Sequence, residues 1–271
     1  MEPIEKATVL VTGASKGIGL AIAEEFAAQG HDLVLVARGE EALQRVADRI
    51  KAQSGGEVKV ICCDLTEADA PRRLYEQLEQ SGKPIDILVN NAGVGMSGLF
   101  QEADYPNLSR MLQLNMLALT QLTHLFLPQM LFRKRGRILN VGSLVSYFIG
   151  GPNWAAYVAS KHYVRALSAG LSKELKGSGV AVTSLSPGAT ATDFVKKADA
   201  EDMLAYQVPL GPSPEQIAKL AYQACQTGKR SLIPGVFNKI LAFMGELHPR
   251  VIAFEVFSLL SNKKLGVRWR A

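Results

Sequence analysis

Cysteine is scarce in this chain, and no cysteine–histidine cluster has the spacing of a metal site. The cysteines are Cys62, Cys63 and Cys225. An odd count with two adjacent residues does not suit a disulfide framework, and no CxxC pair is present to hold zinc. The composition therefore predicts a reducing, cytoplasmic setting and no bound metal.

Long apolar runs and strong charge of one sign are also missing. No stretch of about 18 uninterrupted apolar residues occurs, so we expect no spanning helix. Residues 1–6 are partly acidic and lack the apolar run of a secretory signal peptide. The formal net charge of +5 over 271 residues is too mild to predict nucleic-acid binding. These absences favour a soluble globular protein.

Short apolar runs alternate regularly with helical stretches. Strands are predicted at 8–11, 32–37, 58–62, 85–89, 137–141, 181–185 and 231–233, and helices at 20–29, 40–53, 67–81, 107–134, 156–177 and 214–227. Strands that are apolar throughout are typical of parallel sheets buried on both faces. The alternation predicts a doubly wound α/β fold with helices on both faces of one sheet.

A glycine-rich turn, TGASKGIG at residues 12–19, joins the first predicted strand to the first helix. Gly13 would allow a tight turn, Gly17 a close approach of the backbone to a pyrophosphate, and Gly19 close packing of helix on strand. The helix N-terminus would favour the anion. In this strand–turn–helix context the motif predicts a dinucleotide site.

Two cations stand where a 2′-phosphate would bind. The second strand ends at Arg38, where an acidic residue would instead bind free ribose hydroxyls. The Arg38 guanidinium suits a phosphate, and Lys16 in the glycine turn adds a second charge. The pair predicts NADP(H) over NAD(H), although either residue alone would more often be a solvated surface cation.

Tyr157 and Lys161 lie four residues apart in a strongly helical stretch, which places them on one face of a helix. An ammonium beside a phenol lowers the phenol pKa from about 10, as a general acid–base on a carbonyl requires. Ser143 follows the strand RILNV at the ligand-binding end of such a sheet, where its hydroxyl could donate to a carbonyl oxygen. Each signal alone is weak.

Together these motifs resemble the short-chain dehydrogenase/reductase family. The matching elements are TGASKGIG at 12–19, Asp64-Leu65, the NNAG sequence at 90–93, Asn115, Ser143, YVASK at 157–161 and Pro187-Gly188. The resemblance covers about residues 5–235. It implies a single Rossmann-type domain with a seven-stranded parallel sheet, and an assembly of two or four copies.

The resemblance also implies residue roles. Asn115, Ser143, Tyr157 and Lys161 would form a catalytic tetrad. The residues expected to hold the cofactor are Gly13, Ser15, Lys16, Gly17, Ile18, Gly19, Arg38, Asp64, Leu65, Asn91, Ala92, Gly93, Tyr157, Lys161, Pro187, Gly188, Thr190 and Thr192. The position after Pro187-Gly188 varies in the family, so Thr190 and Thr192 are alternatives for the contact with the nicotinamide carboxamide.

The expected activity is NADP(H)-dependent hydride transfer, in the direction that reduces an apolar ketone or aldehyde. Candidate pocket residues are Val145, Phe148, Ile149, Trp154, Phe194, Met203 and Tyr206. A nucleotide-sugar epimerase or dehydratase is disfavoured by the TGxxxGxG pattern and the short C-terminal part. A non-catalytic dinucleotide sensor or scaffold is disfavoured by the complete set of catalytic candidates.

Residues 236–271 form a C-terminal helical extension beyond the catalytic domain of residues 1–235. Val236, Ile240, Phe243, Met244 and Leu247 fall at helical spacing, and the segment has six basic and two acidic residues, a net charge of +4. The favoured interpretation buries Phe243, Phe254 and Phe257 against the substrate pocket or a second subunit. The alternative is an amphipathic contact with a membrane surface.

Overall fold

The computed structural model describes residues 1–190 and 211–246. Its parallel sheet has seven strands in the order β3-β2-β1-β4-β5-β6-β7. The strands are β1 (Thr8–Thr12), β2 (Asp32–Ala37), β3 (Val58–Cys62), β4 (Ile87–Asn90), β5 (Gly136–Val141), β6 (Val180–Leu185) and β7 (Ser231–Leu232). The prediction of every strand from its apolar run is confirmed.

Helices cover both faces of the sheet. They are α1 (Gly17–Ala28), α2 (Glu40–Ser54), α3 (Ala70–Glu79), α4 (Tyr105–Leu112), α5 (Leu119–Phe132), α6 (Ala155–Glu174), α7 (Pro214–Gln226) and α8 (Val236–Glu246). One core lies between the sheet and α1, α2 and α7, and the other between the sheet and α3 and α5. Successive residues of β1 supply both cores, because Val9 and Val11 enter the first and Leu10 the second.

The single helix predicted over 107–134 is interrupted. A π-helical turn, Gln113–Ala118, separates α4 from α5. Its buried Asn115 donates from Nδ2 to the Val94 carbonyl at 3.0 Å and accepts from the Val94 N–H at 3.0 Å. The spacing of apolar residues did not predict the interruption, because Asn115 bonds with Val94 in a loop outside the helix, and such a bond leaves no trace in helical periodicity. Such turns often occur at functional sites.

The predicted C-terminal helix is present as α8, but its orientation differs from the expectation. Phe243 is 67% exposed, so the described residues of the single chain do not bury it against the substrate pocket, and its burial against a second subunit stays a prediction. The buried side chains of α8 belong instead to Asn238 and Ala242, and the backbone of Gly245 is buried with them. Phe254 and Phe257 lie outside the described residues. No helix in the described ranges is long and apolar enough to cross a membrane.

Candidate active site

A cavity of about 490 Å³ opens where the strand order reverses between β1 and β4. Doubly wound sheets bind their ligands at this reversal, beyond the carboxyl ends of the strands. The predicted site residues that line the cavity are Gly13, Ser15, Lys16, Gly17, Ile18, Gly19, Arg38, Asp64, Leu65, Asn91, Ala92, Gly93, Ser143, Tyr157, Lys161, Pro187, Gly188 and Thr190. Thr192 lies outside the described residues.

The glycine turn forms a cradle that side chains would fill. Gly13 and Gly17 have φ angles of +67° and +58°, in the left-handed region that favours glycine. A Cβ atom on Gly19 would lie 2.2 Å from Nδ2 of Asn91, so this position has no room for one. Helix α1 begins at Gly17, and its N-terminus presents partial positive charge to the cavity. The turn therefore fits the pyrophosphate of a dinucleotide.

Two arginines share one carboxylate beside the cavity. Oδ2 of Asp64 lies 3.9 Å from Nη1 of Arg38 and 3.4 Å from Nη2 of Arg110. Burial alone would raise the pKa of Asp64, but hydrogen bonds from the Thr66 N–H and hydroxyl, together with the two guanidinium charges, hold that pKa below its ordinary value. Two guanidinium groups beside one carboxylate leave a net positive charge at the end of the cavity that holds Arg38 and Asp64.

Tyr157 and Lys161 occupy consecutive turns of α6 at the other end of the cavity. Both side chains are buried, with exposures of 5% and 6%. Nζ of Lys161 lies 5.9 Å from the centroid of the Tyr157 ring and donates to the Val141 carbonyl at 3.0 Å. Burial lowers the pKa of Lys161 to about 8, so the ammonium is still the main form at neutral pH. A charged ammonium at this position stabilises a phenolate at Tyr157.

Ser143 is placed by the end of β5. It caps the 3₁₀ turn Leu144–Tyr147, and its Oγ accepts from the Val145 N–H at 3.4 Å. The Ser143 carbonyl accepts from the Ser146 hydroxyl at 2.7 Å, which fixes the turn. The half-buried Ser143 hydroxyl lines the cavity together with Tyr157. Because Oγ is the acceptor in its bond with Val145, the hydroxyl can donate its own hydrogen to a substrate oxygen.

Asn115 lies near Lys161 but does not line the cavity. Besides its two bonds to Val94, its Nδ2 lies 3.2 Å from Oγ of Ser160. A Cβ atom on Gly93 would lie 3.1 Å from Oδ1 of Asn115 and 3.5 Å from Nζ of Lys161. In this arrangement Asn115 positions the loop that borders Lys161.

Some cavity-lining residues escaped the sequence reasoning. Cys63, Val94 and Leu114 line the cavity, and each is adjacent to a residue that was selected, so extending the motifs by one position would have found them. Nothing in the sequence pointed to Arg110, because it lies 46 residues from Asp64 and approaches that carboxylate only through the packing of α4 in the folded chain. Of the predicted pocket residues, Phe148 and Trp154 are instead buried in a cluster with Tyr157, while Ile149 is 51% exposed.

Of the four remaining predicted pocket residues, only Val145 lies within the described residues. Val145 packs partly buried against the same cluster, and Phe194, Met203 and Tyr206 lie outside the described residues. Within residues 1–190 and 211–246, no group of three or more His, Cys, Asp or Glu side chains could hold a metal ion.

Known proteins are similar to this chain in sequence and in structure. The family model for short chain dehydrogenases matches residues 7–203. A fatty acyl-CoA reductase from Acinetobacter baylyi is 37% identical over 186 residues, which span 68% of this chain and 62% of that relative.

Solved structures agree. A short-chain dehydrogenase from Sphingobium yanoikuyae in complex with NADPH has a TM-score of 0.77 and 34% identity, with 88% of this chain and 92% of that chain covered. A bulky-bulky ketone specific alcohol dehydrogenase from Comamonas testosteroni has a TM-score of 0.74 and 29% identity, with 91% and 96% covered. The chain therefore belongs to the short-chain dehydrogenase/reductase family of oxidoreductases.

Proposed function

We propose that the protein is an NADP(H)-dependent reductase of apolar ketones or aldehydes, with residues 1–235 as its catalytic domain. The observation that carries this proposal is the buried Tyr157–Lys161 pair, which shares one cavity with the glycine cradle and Arg38. A bound nicotinamide would supply the hydride that adds to the carbonyl carbon. The chain's own residues then have to bind, polarise and protonate the carbonyl oxygen.

The proton comes from Tyr157. The hydroxyls of Ser143 and Tyr157 donate to the carbonyl oxygen, which orients it and stabilises the negative charge that develops there. As the C–O double bond becomes a single bond, the Tyr157 proton passes to the oxygen and a phenolate remains. The Lys161 ammonium stabilises that phenolate, while Asn115 holds the adjoining loop in place. Oxidation of an alcohol is the same path reversed.

Charge at the adenosine end supports NADP(H). Arg38 is the residue nearest the end of β2 that can pair with a 2′-phosphate, and Arg110 adds a second guanidinium across Asp64. A lone acidic residue after β2 would have repelled that phosphate. The Sphingobium structure, which is in complex with NADPH, supports the same preference.

Apolar side chains around Tyr157 support an apolar substrate. The cluster contains Leu108, Met111, Leu144, Tyr147, Phe148, Trp154, Tyr157, Val158 and Ala242. Tyr157 and Val94, which packs partly buried against the cluster, line the cavity, and apolar surroundings of this kind favour apolar ligands. The Comamonas enzyme named above is specific for bulky ketones. A panel of ketones and aldehydes with NADPH, followed at the nicotinamide absorbance, tests the proposal. Binding of NADPH without turnover across the panel would favour the sensor alternative, which no described feature supports.

Arg38→Asp is expected to move cofactor preference from NADPH toward NADH. The carboxylate repels a 2′-phosphate and accepts hydrogen bonds from free ribose hydroxyls. The ratio of kcat/KM values for the two cofactors should change by at least about tenfold, or 1.4 kcal/mol. Arg45→Asp is the matched control, because Arg45 is an exposed cation on α2 outside the cavity lining. A wild-type preference for NADH would contradict the roles given to Arg38 and Lys16.

We infer a homodimer or homotetramer in the cytoplasm. Of the apolar residues of α5 and α6, Leu122, Phe126 and Val164 are buried in the single chain, so they pack within it. Leu117 is 54% exposed and remains available for a two-fold contact between helices. Light scattering should give a mass of at least two chains. A monomer mass at all concentrations would refute the inference.

A further inference from the structure

Helix α8 turns its large apolar side chains away from the protein. Val236, Phe237, Ile240, Phe243 and Met244 are 73%, 43%, 52%, 67% and 43% exposed. At 3.6 residues per turn these five positions form one continuous stripe, called the α8 stripe below. The opposite face carries Asn238, Leu241, Ala242 and Gly245. A surface helix normally shows the reverse pattern, and an apolar patch of this kind marks an interaction site.

Close contacts fix this orientation. A Cβ atom on Gly188 would lie 2.5 Å from Oδ1 of Asn238, and one on Gly245 would lie 2.5 Å from the Tyr147 carbonyl oxygen. Arg165 of α6 pairs with Glu246 at the end of α8 and lies 3.7 Å above the Tyr147 ring. Rolling the stripe inward would therefore drive bulky side chains into backbone that already touches the helix. The contacts of the opposite face therefore hold the stripe on the outside of the protein.

Cations occur on α8 and, farther along the sequence, after residue 262. Lys239 is an exposed cation on α8 itself. In the sequence that follows, 251–260 is apolar except for Glu255, and 261–271 contains Lys263, Lys264, Arg268 and Arg270 without a carboxylate. A chain that carries both an apolar surface and a cluster of cations has the combination that binds anionic lipid, because apolar groups enter the interface and cations meet the headgroups.

We propose that the α8 stripe docks on the surface of an anionic lipid bilayer. A second copy of the chain fits less well, because a two-fold contact through α8 would bring together two segments that each have a net charge of +4. Residues 247–271 of the same chain could also cover the stripe. In that case the cations of 261–271 would have no acidic side chain within 261–271 to pair with.

The docking site adjoins the substrate end of the cavity. Ala242, on the packed face of α8, belongs to the apolar cluster that contains Tyr157. One helix diameter, about 10 Å, therefore separates that cluster from the bilayer. This step rests on the proposed function: if the substrate is apolar, docking through the α8 stripe brings the cluster around Tyr157 next to the bilayer, in which such a substrate dissolves.

Sedimentation of the full chain with vesicles tests the proposal. The probes are phosphatidylcholine vesicles with and without phosphatidylglycerol, at low salt and at about 1 M salt, where the Debye length is about 3 Å. The wild type should sediment only with the anionic vesicles at low salt. Ile240→Ser/Phe243→Ser should bind at least about tenfold more weakly, a change of 1.4 kcal/mol.

The matched control is Phe132→Ser on α5, because Phe132 is 91% exposed and lies outside α8. It should bind like the wild type, and turnover of a water-soluble substrate should be the same in all three proteins.

Equal vesicle binding by the double variant, or none by the wild type, overturns the proposal. So does a halved mass of the double variant in light scattering, which assigns the stripe to a second copy. A Tm drop far beyond that of Phe132→Ser assigns it to residues 247–271. Vesicle binding does not depend on turnover, so its failure is distinct from failure of the proposed function.

Discussion

Tyr157→Phe is expected to lower kcat by roughly two to four decades, the usual scale for loss of a general acid. The substitution removes only the hydroxyl. The ring keeps its edge contact with Trp154, whose centroid lies 5.4 Å away, so the fold and the glycine cradle should be unaffected. Cofactor binding, measured by fluorescence titration, should therefore persist while turnover is lost.

Tyr163→Phe provides the control for this experiment. Tyr163 lies on the same helix, and its hydroxyl is 2.8 Å from Oγ1 of Thr120 rather than in the cavity. Its loss should cost about 1 kcal/mol of unfolding free energy at most and leave kcat near the wild-type value. A Tyr157→Phe enzyme that keeps roughly half of its activity would remove Tyr157 from the role of general acid.

The strands and the glycine cradle could be predicted from sequence because their signals are local. A strand buried on both faces must be apolar along its whole length, as in β1 and β2. Gly13 and Gly17 are required by their own backbone angles, and Ser143 is identified by following a strand. In each case a few neighbouring residues determine the outcome.

The features that could not be predicted depend on contacts between distant segments. The π-helical turn accompanies bonds between Asn115 and Val94, 21 residues apart. Arg110 reaches Asp64 across 46 residues. The spacing of apolar residues in α8 predicted a helix correctly, but periodicity alone does not say which partner the apolar face meets. The packed face was determined by Gly188 and Tyr147 instead.

Lys161→Met is expected to lower kcat by roughly two decades or more, because the phenolate at Tyr157 loses its ammonium. Unlike most losses at a buried position, this one should not destabilise the fold. Methionine is similar in length to the lysine stem and needs no hydration at its tip. Lys173→Met, an exposed substitution farther along α6, is the matched control and should change neither property appreciably.

The stability effect of Lys161→Met follows from the sign of the pKa shift. Burial lowers the pKa of Lys161 from 10.5 to about 8, so between these pH values the unfolded chain binds a proton that the folded chain has lost. The free energy of unfolding therefore rises with pH through that window. Below pH 8 the folded state carries the full cost of a buried ammonium, about 3 kcal/mol for this shift. The bond to the Val141 carbonyl offsets about 1 kcal/mol of the gain from removing the ammonium.

Chemical denaturation at pH 7 should accordingly show Lys161→Met to be more stable than the wild type by about 2 kcal/mol. The difference should shrink above pH 8 and reach zero near pH 10, where the remaining cost of the charge equals the contribution of the bond to Val141. At still higher pH the neutral wild-type lysine keeps that bond, so the wild type should become the more stable protein by up to about 1 kcal/mol. That result would show that position 161 retains a charge that weakens the fold, as expected if the charge serves the proposed proton transfer at Tyr157. A variant that loses stability and turnover in parallel would show instead that Lys161 serves the fold through its hydrogen bond to Val141.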